Sequence, residues 1–217
     1  MTVKTKLITL AATLLVSLTT IAYLAFYSTS NWAHDMSNMG ENRLIGVLTL
    51  SNLNRERMVI RAQTLNVYEY EYNYDAQNAF SNIKLQRMSS WEIIETNWKV
   101  FADLPRASKK GKETFEKLSY EYKEWRNIYI TLDSIIDKLS QNKDPHVQKL
   151  LFDEYRKAVQ VMIPISNTMG KTMDDLTQTN ITTTQNIIKN ANDTANFLEL
   201  IVLSISLAIF ISSISIF

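Results

Sequence analysis

Leu7 to Phe26 runs for 20 residues without a charge, and a second apolar run extends from Phe197 to Phe217, broken only by Glu199. Each is long enough to cross a hydrocarbon core of about 30 Å as a helix. Between them the pattern turns periodic. Phe115, Leu118, Tyr122, Trp125, Tyr129, Leu132, Ile136 and Leu139 alternate in steps of three and four, an uninterrupted helical seam. Phe80, Ile83, Trp91, Ile94, Trp98 and Phe101 form another, with Arg87 as its one polar intruder. Only 4 Gly and 3 Pro punctuate the chain, so the elements must be long. Breaks are expected at Asp75, at LPRASKKGK (104 to 112) and at Asp144-Pro145, where Asp and Pro make a strong helix start. The reading is all-α, an antiparallel up-down-up-down four-helix bundle over 28–197, with helices of about 28–73, 76–103, 109–141 and 145–197. The first and last continue into membrane helices at 7–27 and 198–217.

VYEYEYNYD, residues 67 to 75, alternates as a β-strand would. A length balance favours helix. At 1.5 Å per residue, the first three helices carry the chain out, back and out again by a net of about 76 Å, and the last returns about 79 Å. On a helix Tyr68 and Tyr72 share one face and Tyr70 and Tyr74 nearly the opposite one. One pair is then expected in the bundle. The other covers its far end, faces a partner subunit or lines a pocket.

Lys4 and Lys6 precede the first span and no basic residue follows it until Arg43, which keeps residues 1–6 in the cytoplasm and sends 28–197 outside. Acidic and basic side chains balance in that outer segment, and the whole chain carries a formal charge of +1, so no nucleic-acid partner is expected. Membrane lipid is. The absence of cysteine excludes disulfides, a thiolate nucleophile and cysteine-ligated zinc. His34 and His146 have no carboxylate at ligand spacing, Asp174 and Asp175 point different ways on a helix, and no Gly-rich phosphate loop exists. Neither an enzyme nor a cofactor is indicated. The chain is expected to continue past Phe217 into a cytoplasmic region.

NWKVFADLP (97 to 105) leading to EYKEWRNIYITLDSIIDKLSQNKD (121 to 144), set between two membrane spans, resembles the sensory half of bacterial methyl-accepting chemotaxis proteins. The resemblance implies a homodimer in the inner membrane whose periplasmic bundle reads a small ligand near its membrane-distal end. A small shift of the last helix would then reach a cytoplasmic chemotaxis kinase and adaptor. NLNR (52 to 55) is similar to the arginine motif of the amino-acid receptors, but the upper turns carry tyrosines instead. Arg57 and Arg61, at i and i+4, form either a clamp for an anion or a solvated face beside Glu56. Phe152 and Tyr155 are level with the tyrosine run. The candidate ligand site is thus Arg57, Arg61, Tyr68, Tyr70, Tyr74, Phe152 and Tyr155, for an anionic or aromatic molecule. A receptor kinase, a cyclic-dinucleotide enzyme or a non-sensing structural bundle would share this architecture. Residues 177–194 and 28–42 are polar and poor in core, so the base of the bundle is expected to be its softer part.

Overall fold

The computed structural model describes residues 2–106 and 108–216. Its elements are α1 (Val3–Asn38), a π-helical turn (Met39–Leu44), α2 (Ile45–Asn66), a 3-10 turn (Val67–Tyr70), α3 (Gln77–Asp103), α4 (Lys109–Gln141) and α5 (Pro145–Ile216). No strand occurs among the described residues. The residues group into two compact units, one of residues up to 41 together with those from 182 onward, the other of 42–181.

The unit of 42–181 is an antiparallel bundle. Thr64 of α2 meets Arg87 of α3, and Asn52 Oδ/Nδ groups meet those of Asn97 ten residues further along α3. Arg87 meets Asp133 of α4, while Trp98 stacks on Tyr122 with ring centroids 4.0 Å apart. Thr64 also meets Tyr155 of α5, and Asn54 meets Asp174. The seam of α4 is buried at Leu118, Trp125, Tyr129, Leu132, Ile136 and Leu139. Trp91 packs between Trp125 and Tyr129 at 4.9 and 5.5 Å. Such ring pairs contribute about 0.5–1.5 kcal/mol each beyond the area they bury.

Helix ends follow local chemistry. Ser108 Oγ accepts the Gly111 N–H at 3.0 Å and opens α4. Asp144 Oδ1 accepts the N–H groups of His146 and Val147 at 2.8 and 3.4 Å, with Pro145 in the first helical position. Arg106 closes α3 by donating to the carbonyls of Phe101, Ala102 and Leu104, its guanidinium lying 3.7 Å from the centre of the Phe115 ring. α5 runs through Pro164 without a break.

The tip differs from the expected α-helix to residue 73. The α-helix stops at Asn66 and tightens into the 3-10 turn. Three residues per turn bring Val67 and Tyr70 onto one side. Val67 is fully buried, Tyr70 packs edge-on to Phe80 at 5.8 Å, and Tyr68 packs on Tyr155 at 5.7 Å. Tyr68 and Tyr70 therefore turn inward together, while Tyr72 is 81% exposed and Tyr74 43%. Buried Gln148 supplies the reason for the stop. Its amide nitrogen lies 3.0–3.2 Å from the carbonyls of Tyr70, Glu71 and Asn73, giving the end of the helix partners that a continuing helix would have provided. Nor does Asp75 cap α3. Its N–H is held by Asn73 Oδ1 at 3.0 Å, and Ala76 occupies the cap position without a side-chain bond.

The other unit contains two apolar stretches whose side chains are largely exposed. Its best windows have mean hydropathies of 2.0 and 2.1, and none of their residues is buried. Hydroxyls there bond back to their own helix, as Thr13 does to Thr9 O at 2.9 Å and Ser17 to Thr13 O at 2.8 Å. A polar side chain satisfied in this way can face hydrocarbon without an orphan donor.

The two aspartates separate on substitution. Asp144→Ala removes a cap and should cost about 1 kcal/mol, whereas Asp75→Ala should stay within about 0.5 kcal/mol. Denaturant unfolding of the full chain in nanodiscs, followed by circular dichroism, compares them.

Candidate functional site

Of the seven residues singled out from the sequence, four form one aromatic layer. Tyr68 lies 6.4 Å from Phe152 and 5.7 Å from Tyr155, Phe152 lies 6.2 Å from Phe80, and Tyr70 completes the set through Phe80. Phe152 and Tyr155 are wholly buried. Tyr74 stands outside this layer, its backbone carbonyl accepting from Gln77 Nε2 at 2.7 Å. Arg57 and Arg61 lie lower on α2 and both turn toward α5.

Arg57 is 7% exposed. Its Nη1 donates to the carbonyl and hydroxyl of Ser166 at 2.9 and 2.8 Å, and its Nε to Asn54 Oδ1 at 2.9 Å. Gly170 makes this approach possible, because a Cβ at that position would come within 2.4 Å of the guanidinium. Burial, and then the neighbouring Arg61, hold the Arg57 guanidinium below the usual arginine range, with Asp174 opposing. Arg61 donates to Asn167 Oδ1. The two arginines thus face α5 as a pair, and the bonds of Arg57 are already taken by it.

A second polar constellation lies between these arginines and the aromatic layer. Arg87, the intruder in the α3 seam, is 1% exposed. It donates to Asp133 Oδ1, to Thr64 Oγ1 and, at 3.3 Å, to the Tyr155 hydroxyl. Tyr155 in turn donates to Thr64 O at 3.0 Å, and Trp91 Nε1 to Asp133 Oδ2 at 3.2 Å. The Tyr129 ring faces the guanidinium with its centroid 5.4 Å away. α2, α3, α4 and α5 each contribute. Burial pushes the Tyr155 and Tyr129 phenols above the usual tyrosine range, although the arginine charge opposes it.

Sequence reading missed Asp133, Thr64, Ser166 and Gly170 as participants. One signal existed for Asp133. A carboxylate is the strongest partner for a buried arginine, and Asp133 follows the seam residue Leu132 at the level where α4 passes Arg87. Nothing in a single sequence marks Gly170 as the place where an arginine crosses a helix.

Two measurements probe the network. Asp133→Ala leaves the Arg87 charge buried and should cost about 2–4 kcal/mol, reduced by the 30% exposure that Asp133 retains, while the double change Arg87→Met with Asp133→Leu should recover most of it. A raised phenol pKa contributes stability that is complete below the unfolded value of about 10 and is lost as pH climbs through the folded value. Melting temperature should therefore fall steeply above about pH 10, and less steeply in Tyr155→Phe.

A family model described as a four helix bundle sensory module for signal transduction matches residues 1–195. No curated protein and no solved structure matches the chain. The match takes in α1, all of the bundle helices and the greater part of α5. With the antiparallel bundle and two helices long and apolar enough to cross a membrane, this chain belongs to the four-helix-bundle sensory modules of methyl-accepting chemotaxis proteins, a signal-transduction family.

Proposed function

We propose that this chain is the sensory region of a transmembrane chemoreceptor, anchored in the inner membrane with its bundle in the periplasm, and that it converts binding of a small ligand into a small displacement of α5. The observation that carries the reading is α5 itself. It is one helix of 72 residues from Pro145 to Ile216, and it holds both the buried partners of α2 and an apolar stretch fit to span a bilayer. A helix that continues through Pro164 with the loss of a single ladder bond can transmit axial movement without unfolding, and displacements of about 1–2 Å are within the range of packed helices.

Homodimerisation is part of the reading. Leu44, at the end of the π-helical turn, and Leu48, Met58 and Leu65 along α2 have exposures of 57, 54, 49 and 43%. Heptad-spaced apolar residues of this kind suit a parallel contact with the same helix of a second copy. In this reading the output goes to a chemotaxis kinase and adaptor.

A chimera joining residues 1–217 to the cytoplasmic half of a chemoreceptor tests this. In membranes with kinase and adaptor present, phosphorylation should change saturably with at least one compound from a panel of amino acids, organic acids and aromatics. Deletion of 42–181 should remove the response. A chimera that stays blind to the whole panel would favour a tether over a sensor.

A further inference from the structure

The four seams of the bundle are not closed alike. α2 and α5 are joined by Arg57 to Ser166, Arg61 to Asn167 and Asn54 to Asp174, and Arg156 of α5 reaches Glu71 just past the 3-10 turn. α3 and α4 are joined by Lys84 to Asp137, Arg87 to Asp133 and the stacked Trp98 and Tyr122. α2 and α3 share Asn52 to Asn97 and Arg87 to Thr64. Between α4 and α5 there is a groove of about 610 Å³ instead.

The lining of the groove is part aliphatic and part charged. Ile128, Ile135, Ala158 and Val161 offer aliphatic surface without a donor or acceptor, and Val161 remains 51% exposed. Lys138 of α4 and Lys157 of α5 line it from opposite helices, with Glu154 one turn from Lys157. Among the described residues none of these three has an ion-pair partner, whereas the neighbouring Lys84, Arg126 and Arg156 all do. Two ammonium groups against one carboxylate leave a local excess of one positive charge. An anion taken into the groove would meet this excess with an attraction that a neutral molecule lacks.

We infer that the α4–α5 groove is a binding site for a small amphiphilic monocarboxylate, with the apolar body against Ile128, Ile135, Ala158 and Val161 and the carboxylate between Lys138 and Lys157. The volume lies within the range of about 300–1,000 Å³ usual for small-molecule sites, and the pattern of apolar lining with a few convergent charges is theirs also. One net charge matches one carboxylate; a cationic ligand meets repulsion and an uncharged one forgoes the charge-assisted bonds. This inference rests on the sensory reading and supplies its ligand class. The seven residues taken from the sequence do not line this groove.

The test uses residues 1–217 in nanodiscs and isothermal titration with phenylacetate, indole-3-acetate and hexanoate, each beside its amide. At least one acid should bind saturably, and its amide about tenfold more weakly or not at all. The double variant Lys138→Ala with Lys157→Ala should lose about tenfold or more in affinity, as should Ser134→Trp, which fills the groove from an exposed position on α4. Circular dichroism and melting temperature verify that both variants fold. No saturable binding by any of the three acids overturns the inference. So does binding that neither variant weakens, although a kinase response of the chimera would then leave the sensory reading standing. If Ser134→Trp instead breaks up an oligomer and leaves binding unchanged, a second copy covers the groove and the inference fails. Binding that the variants abolish, without any kinase response, keeps the groove and removes the sensory reading.

Discussion

A guanidinium in the middle of a four-helix bundle is the constraint around which the unit of 42–181 is arranged. Taking a charge out of water costs several kcal/mol even after relaxation, and the cost is offset only where a counter-charge and the remaining hydrogen bonds are all in place. Arg87 finds its counter-charge in Asp133 and further partners for its terminal nitrogens in Thr64 and Tyr155, one residue from each of the other three helices, and only its Nε is left buried without a partner among the described residues. Apolar seams alone would tolerate a slip of one helix along another by a turn, because apolar positions recur on the same face every three or four residues. The arginine does not tolerate it. A shift of one turn, about 5.4 Å, would separate the charge from its partners and leave it buried alone. The network therefore selects one register from several that the hydrophobic pattern allows.

Above and below this level the seams have different characters. Toward the tip the rings of Tyr68, Tyr70, Phe80, Phe152 and Tyr155 fill the section, and Gln148 holds the returning chain by its carbonyls. Below it Arg57 reaches across to α5, which Gly170 alone permits, since any side chain there would displace a guanidinium already bonded to Ser166. α5 is thus clasped to α2 by polar bonds over several turns. Its opposite flank, toward α4, has aliphatic surface and unpaired charges in place of such clasps. An element held firmly on one side and loosely on the other can shift relative to the loose neighbour at small cost, since few specific bonds must break.

Much of this was legible in the residues. The 3-4 spacing from Phe115 to Leu139 and from Phe80 to Phe101 encodes helix, because no other structure places such positions on one face. Asp144-Pro145 encodes a helix start through donors that an aspartate can satisfy. The tyrosine run was legible only in part. Its alternation was no strand, yet its inward pair is Tyr68 and Tyr70 because the helix tightens there, and that tightening depends on Gln148, 78 residues away from Tyr70 in sequence. Contacts across such a distance carry no local pattern. Asp75 shows the same limit, a good capping residue whose N–H an earlier asparagine had already engaged in a different turn.

The burial along α5 shows how far the packing extends. Met162, Ser166, Met169 and Met173 follow one another in steps of three and four on the inner face, so the helix is held from both sides of Pro164, whose missing N–H is exposed and costs the ladder a single bond. Beyond Met173 no described residue of α5 is buried. Full burial therefore holds the helix over its first eight turns or so, and just past them Asp174 still accepts from Asn54 and half-buried Leu176 packs against the core. Any change in the position of the packed segment has to be passed on by backbone continuity, and TQTNITTTQNIIKNANDT, rich in residues of middling helix propensity, is the stretch through which it passes. Its hydroxyls compensate in part, as Thr179 and Thr194 bond back to the carbonyls of Asp175 and Asn190 at 2.8 Å. A segment that stays helical but gains little from burial is stiff along its axis and inexpensive to move sideways, a property that suits the displacement of α5 proposed above.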